Sequence, residues 1–133
     1  MTFSKNDTLN FSDFLLKAAG VSKAALDDLI ADAKKYGYTE ILVPGFLVRQ
    51  AAEKLRGSGA NIKIATIIDF PYGLSSVEEK SAAARSAAAA GASIIEIAPN
   101  VMTVRDGDLK AFEAEFALIA APVNKIKDAS LRA

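Results

Sequence analysis

Two short apolar segments of this chain each carry a carboxylate close to the point where the segment ends. Residues 62–68 are followed at once by Asp69, and residues 93–98 contain Glu96, with Asn100 two residues further on. If both segments are parallel strands, their carboxyl ends meet at one edge of a sheet, where barrels of alternating strands and helices hold their catalytic groups. The sequence therefore predicts Glu96 as a catalytic residue and Asp69 and Asn100 as ligand-binding residues.

Glu96 is the strongest of these candidates because it stands between two isoleucines, Ile95 and Ile97. Alternation along a strand points its side chain to the face opposite both, which in a barrel is the interior. An unpaired carboxylate there is costly, and no cation stands nearby in the sequence, so we expect Glu96→Gln to be neutral or mildly stabilising. The alternative is a solvent-facing glutamate on an open half barrel.

The other two candidates have structural interpretations of comparable or greater weight. Asp69 precedes Phe70-Pro71, where a carboxylate that caps the loop is favoured over one that faces a ligand. For Asn100, loop structure and substrate contact stay equally open. A metal site made of cysteine or histidine is excluded, since the chain contains neither residue.

Several lysines and a glycine turn could also take part in chemistry. Lys63 alternates with apolar neighbours, but it opens its strand, so we expect its amine to reach solvent. Lys125 and Lys127 could supply a lysine on a further strand, although a solvated tail is favoured. The Gly57-Ser58-Gly59 segment could cradle phosphate, but it precedes a strand and predicts a plain turn.

Composition narrows the class of protein. Hydrophobic residues make up 51% of the 133 residues, which favours a globular domain. Sixteen basic and sixteen acidic side chains cancel, so binding to nucleic acid or to an anionic membrane is not expected. The lack of cysteine and of a signal-peptide pattern at the amino terminus predicts a cytoplasmic protein, and no cofactor is expected.

The elements that must position these residues alternate along the chain. Helical apolar stripes over residues 22–36, 47–55, 76–90 and about 108–121 separate strands predicted at 39–43, 62–68 and 93–98. Ser76 and Glu79 have the spacing of a capping box, and Asp106 or Asp108 can cap the last helix. A first strand over residues 8–16 has only a weak pattern.

This alternation predicts an α/β fold of parallel strands joined by right-handed crossovers. The chain should form one domain over residues 1–133, in which 122–133 are a weakly structured tail or a partial fifth strand. A full barrel of eight units needs about 250 residues. The sequence therefore predicts a TIM-barrel-type fold truncated to about four βα units, a half barrel.

Several motifs, in order and at the right spacing, cover about four-fifths of the chain. They resemble the amino-terminal half of the deoxyribose-phosphate aldolases, and they are Leu15-Leu16-Lys17, Ala33-Lys34-Lys35-Tyr36-Gly37, Lys54-Leu55-Arg56-Gly57-Ser58-Gly59, Lys63-Ile64-Ala65-Thr66-Ile67-Ile68, Phe70-Pro71-Tyr72-Gly73, Gly91-Ala92, Asn100 and Gly107-Asp108. This family consists of TIM-barrel class I aldolases that cleave 2-deoxyribose 5-phosphate to glyceraldehyde 3-phosphate and acetaldehyde through a lysine Schiff base.

The resemblance assigns the family's proton-transfer carboxylate to Glu96. Its early Asp-His-Thr motif falls on Ser12-Asp13-Phe14, and its Cys-Val-Asn-Pro motif falls on Leu42-Val43-Pro44-Gly45. The Schiff-base lysine and the phosphate-binding loops lie in strands six to eight of the family's barrel, which have no counterpart among these residues.

The resulting hypothesis is an aldolase-like protein that is inactive as this chain alone. The alternatives are a non-catalytic scaffold, a small-ligand-binding module, or one half of a split barrel that another chain completes. A phosphorylated sugar is the expected ligand. Open sheet edges also predict a homo-oligomer or a complementary half-barrel partner.

Overall fold

The computed structural model describes residues 23–132, and the predicted strand at residues 8–16 and the Ser12-Asp13-Phe14 segment lie outside them. Strands and helices alternate along this part of the chain. In order they are α1 (Lys23–Tyr36), β1 (Glu40–Leu42), a 3₁₀ turn (Gly45–Leu47), α2 (Val48–Leu55), β2 (Lys63–Ile68), α3 (Val77–Ala90), β3 (Ile94–Ile97), α4 (Val101–Arg105), α5 (Leu109–Val123) and β4 (Ser130–Arg132).

The four strands form one parallel sheet in the order β1-β2-β3-β4. This confirms the predicted α/β half barrel of about four units. The expected positions of β1, β2 and β3 are also confirmed. Within the described residues, β1 and β4 each pair with a single neighbouring strand.

The carboxyl-terminal segment, predicted as a weakly structured tail or a partial fifth strand over residues 122–133, contains the end of a helix and a short strand. Helix α5 continues through Pro122 to Val123, and β4 lies further on, at Ser130–Arg132. The strand forms because residues 93 and 130 hydrogen-bond across the β3–β4 pair, with Ser130 N donating to the Ser93 oxygen at 3.0 Å. A strand of three residues carries too little pattern to be recognised from sequence.

The two faces of the sheet have different partners. The helix-facing side chains of β2 and β3, such as Ile64, Ile95 and Ile97, join the main core with residues of all four longer helices. The opposite, interior face carries a small apolar cluster of Leu42, Ala65, Ile94 and Ile67 and the polar residues described below. This confirms that Ile95 and Ile97 face the helices and that Glu96 faces away from them.

Helix α3 packs closely on its neighbours because its buried side chains are small. Ala84, Ala87 and Ala88 are buried against the core, and Ser76 and Glu79 form the predicted capping box at its start. Gly91 ends the helix at φ +113°, and a Cβ placed there would lie 2.8 Å from the Ala52 Cβ. The close approach of α2 and α3 therefore depends on this glycine.

A second glycine allows the loops after β2 and β3 to touch. Gly73 has φ +63°, and a Cβ placed there would lie 2.2 Å from the Pro99 oxygen. The neighbouring backbone adds a hydrogen bond from Val101 N to the Tyr72 oxygen at 3.0 Å.

Across residues 23–132, no helix combines the length and apolar character needed to span a bilayer.

Candidate functional site

Glu96 lies on the interior face of β3 and is only 8% exposed. Its register partner on β4 is Arg132, whose Nε donates to the Glu96 Oε1 at 3.1 Å and whose Nη2 donates to the same oxygen. The expectation that Glu96 has no local cation is therefore wrong. The two residues are 36 positions apart in sequence, and only the parallel pairing of β3 with β4 brings them together.

The same guanidinium also reaches the opposite edge of the sheet. Arg132 Nη2 donates to the Glu40 Oε1 on β1 at 2.8 Å. Strands β1 and β4 are three interstrand spacings apart, about 14 Å in a flat sheet, so this contact requires the sheet to curl around its interior face. We call Glu40, Glu96 and Arg132 the interior ion cluster.

The interior ion cluster keeps its arginine charged. Burial by itself lowers the pKa of Arg132, but hydrogen bonds to Glu96 and Glu40 and the charges of both carboxylates outweigh burial and raise that pKa above its ordinary value. Two nitrogens of Arg132 donate to one oxygen of Glu96, so a ligand could bind that oxygen only by displacing the guanidinium.

Asp69 lies in the loop after β2, with φ +62°, a conformation that aspartate tolerates better than most residues. Its Oδ2 accepts a hydrogen bond from Ser75 N at 2.7 Å, and its Oδ1 accepts one from Ser75 Oγ at 2.9 Å. Both carboxylate oxygens therefore stabilise the loop. Lys80 Nζ lies 3.6 Å from Oδ2.

Asn100 follows β3 and caps the short helix α4. Its Oδ1 accepts a hydrogen bond from Met102 N at 2.9 Å. Asn100 and Asp69 both stand at the carboxyl edge of the sheet, but in the described structure each side chain binds its own loop.

Lys80 is a further buried charged residue, for which the sequence made no prediction. It is 1% exposed, and its Nζ donates to the Gly73 oxygen at 2.8 Å, to the Ala98 oxygen at 3.3 Å and to Glu115 Oε1 at 2.5 Å. Through these hydrogen bonds the ammonium connects the loops after β2 and β3 to α5. Because an ammonium group carries no lone pair, it cannot act as a nucleophile. Its position four residues before Ala84, on the apolar stripe of α3, was the available signal.

The remaining lysine candidates and the glycine turn lie away from the carboxyl edge. Lys63 is exposed at the amino end of β2, and Lys125 and Lys127 are exposed between α5 and β4. The Gly57-Ser58-Gly59 segment is an exposed turn in which Ser58 Oγ accepts a hydrogen bond from Ala60 N at 3.3 Å.

In the described range, no cluster of three acidic side chains that could hold a metal ion occurs.

Two cavities open near the carboxyl edge. One, of about 340 Å³, is lined by Asp69, Ser75, Glu79 and Lys80 together with Ile68 and Ala83. The other, of about 330 Å³, is mainly apolar and is lined by residues of α4, α5 and the segments beside them: Pro99, Thr103, Val104, Gly107, Asp108, Leu109 and Phe112.

Curated proteins similar to this chain are deoxyribose-phosphate aldolases. That of Brevibacillus brevis is 30% identical over 109 residues, which are 82% of this chain and 48% of the relative. That of Mycoplasmopsis pulmonis is 42% identical over 94 residues, which are 71% of this chain and 41% of the relative. No established family profile matches the sequence.

Solved structures agree on the fold. A candidate deoxyribose-phosphate aldolase from Coccidioides immitis superposes with a TM-score of 0.74 at 24% identity, over 84% of this chain and 42% of that one. A second structure, described as an aldolase, gives a TM-score of 0.70 at 19% identity, over 84% of this chain and 48% of that one. The chain thus spans about half the length of the proteins that it matches.

Proposed function

The chain is related to the deoxyribose-phosphate aldolases over about half of their length, and from this premise we propose an aldolase-like protein that does not cleave 2-deoxyribose 5-phosphate by itself. The class I reaction needs a lysine amine that attacks the carbonyl carbon of the substrate and forms a Schiff base. The proposal concerns this chain of 133 residues as it stands.

The observation that carries the proposal is the placement of the lysines on the described residues. Lys63 is the lysine on the interior face, and it lies at the amino end of β2, away from the carboxyl edge. Lys80 is close to that edge, but its amine is buried among two carbonyl oxygens and two carboxylates. Neither lysine presents a free amine to a ligand at the carboxyl edge.

The interior ion cluster supports the same proposal. Glu96 takes the position that the resemblance gives to the proton-transfer carboxylate, yet Arg132 and Glu40 occupy the space around it. A substrate that used Glu96 as a base would first have to displace the guanidinium, and separating a partly buried ion pair that is held by two hydrogen bonds is unfavourable.

Borohydride trapping tests the proposal. The purified chain is incubated with 2-deoxyribose 5-phosphate and sodium borohydride, and the intact mass is measured. The full-length Brevibacillus brevis relative, treated in parallel, is the positive control. We expect no reduced adduct on this chain. An adduct would overturn the proposal, and peptide mapping with the Lys63→Arg variant would show whether Lys63 is the nucleophile.

One half of a split barrel is the second candidate function. Within residues 23–132, each edge strand, β1 and β4, has one paired neighbour, and the interior face between them holds charged groups. A complementary half-barrel chain would pair with both strands and enclose the ion cluster. Native mass spectrometry of the chain with the separately expressed second half of a relative tests this, and the absence of a complex would contradict it.

Binding without turnover distinguishes a ligand-binding module from a scaffold. Calorimetric titration with 2-deoxyribose 5-phosphate should give heat for the module and none for the scaffold.

We also propose that the protein is located in the cytoplasm. Cell fractionation with an antibody against the chain tests this location.

A further inference from the structure

The apolar cavity of about 330 Å³ lies between α4 and α5 and is lined by both helices and by the turn that joins them. Its walls include Val104, which is 56% exposed, and Leu109, which is 71% exposed. Neither Glu96 nor Lys80 is among the lining residues. We call this space the α4–α5 cavity, and the aldolase chemistry considered above does not use it.

The polar groups of the turn are bound within the turn itself. Asp108 Oδ1 accepts a hydrogen bond from Ala111 N at 3.0 Å, and Asp108 N donates to the Thr103 oxygen at 3.1 Å. Gly107 N donates to the Val104 oxygen, also at 3.1 Å. A molecule in the cavity therefore meets carbon surface for the most part. A ligand of low polarity suits such a wall, because it gives up few hydrogen bonds to water on entering.

Gly107 makes part of the wall from bare backbone. Its φ is +69°, a conformation that glycine adopts without strain, and a Cβ placed there would have no heavy atom within 4 Å. No side chain thus covers the turn at this point, and a flat ring can lie against it.

Phe112 favours an aromatic ligand. Its ring lines the α4–α5 cavity, and the centroid of the Phe116 ring lies 6.3 Å from its own centroid. Rings at 4.5–7 Å attract one another beyond the effect of burial. Phe112 and Pro99 also line a smaller pocket on the other side, beside Ile97 and Ile119. The Phe112 ring therefore has space behind it and can adjust to a ring that binds in front of it.

The charge and the size of the cavity restrict the ligand further. Asp108 is the charged side chain among the lining residues, and no lysine or arginine lines the cavity. A sugar phosphate or a fatty acid would find no cation there and would face a like charge. Ligand cavities range over about 300–1,000 Å³, so this one suits a small molecule.

We propose that the α4–α5 cavity is a binding site for a neutral aromatic molecule of one or two rings. The ring packs against Phe112 and lies between Val104 and Leu109, beside the backbone of Gly107. The proposal does not rest on the proposed function, whose expected ligand is a phosphorylated sugar.

Fluorescence titration of the whole chain with prodan, a neutral naphthalene dye whose emission depends on polarity, tests the proposal. We expect the emission to move to shorter wavelength and to saturate at one dye per chain. Val104→Asp should weaken binding more than about tenfold, because it places a second carboxylate against an apolar ligand. Leu118→Asp is the matched control and should bind as the wild type does, since Leu118 is 63% exposed but does not line the cavity.

Three results of this titration would overturn the proposal. The first is binding that does not saturate, which would indicate general adsorption to exposed apolar side chains. The second is equal affinity of the wild type and Val104→Asp. The third is displacement of the dye by 2-deoxyribose 5-phosphate, which would place the dye at a sugar site.

Nuclear magnetic resonance of the isotope-labelled wild type locates the dye without any substitution. On addition of prodan, the amide signals of Gly107 and Leu109 should shift, and those of Ile41 and Ile64 in β1 and β2 should not. Shifts confined to β1 and β2 would contradict the proposal.

Discussion

Arg132 and Glu96 are register partners on neighbouring strands, and two nitrogens of the arginine donate to one oxygen of the glutamate. The same arginine binds Glu40 on the first strand of the sheet. One side chain thus links the two edge strands across the interior face.

Glu96→Gln should destabilise the protein, in contrast to the neutral or mildly stabilising effect expected from the sequence before the contact with Arg132 was seen. The substitution leaves Arg132 with one charged partner instead of two, and we expect a loss of about 1–3 kcal/mol in the free energy of unfolding, less than for a fully buried pair because Arg132 is partly exposed. Urea unfolding followed by circular dichroism measures it. Glu113→Gln, at an exposed position of α5, is the control and should change little. An unchanged value for Glu96→Gln would show that the ion cluster contributes nothing.

Lys80→Met should be more damaging. It leaves the carboxylates of Asp69 and Glu115 without their cation, and removing one partner of a buried pair typically costs about 3–5 kcal/mol. Lys110→Met, on the exposed face of α5, is the matched control. The Lys80→Met/Glu115→Leu double variant should recover part of the loss because it removes one stranded charge. Equal melting temperatures for Lys80→Met and Lys110→Met would contradict the role assigned to Lys80.

The stabilisation from Arg132 should not depend on pH between neutral and mildly alkaline conditions. Folding raises the pKa of Arg132, so its contribution is fully present below the pKa of arginine in the unfolded chain. It is lost only when the pH rises through the still higher pKa of the folded state. The difference in unfolding free energy between the wild type and Arg132→Met should therefore be constant over this range. A steady decline with rising pH would argue against the assignment.

Gly73→Ala and Gly107→Ala separate steric clash from backbone strain. Both glycines have positive φ, at +63° and +69°, but only at Gly73 would the new Cβ meet other atoms within 4 Å. We expect a cost of about 1 kcal/mol for Gly107→Ala and of more than about 3 kcal/mol for Gly73→Ala. Thermal unfolding compares them. Similar losses would mean that the loop moves away from Pro99 without resistance.

Local patterns predicted much of this fold. The alternation of Ile95, Glu96 and Ile97 placed each side chain on the correct face, and the spacing of Ser76 and Glu79 located the start of α3. These signals lie within a few residues of one another, and the strand and helix periods translate them directly into geometry.

The candidate site was harder to predict because its contacts are distant in sequence. Arg132 stands on a strand of three residues, and its carboxylate partners are 36 and 92 positions away. The partners of Lys80 were not predicted because Glu115, which neutralises it, lies 35 positions later. Sequence showed that Glu96 is turned inward, but only the pairing of β3 with β4 revealed its cation.

The contacts of Lys80 also determine how this molecule can open. One ammonium joins the loop after β2, the end of β3 and the middle of α5, so none of the three can separate without breaking a buried hydrogen bond or ion pair of Lys80. Their amide protons should therefore exchange with solvent as one cooperative unit, with similar protection. In Lys80→Met the unit should divide, and the loop after β2 should exchange first.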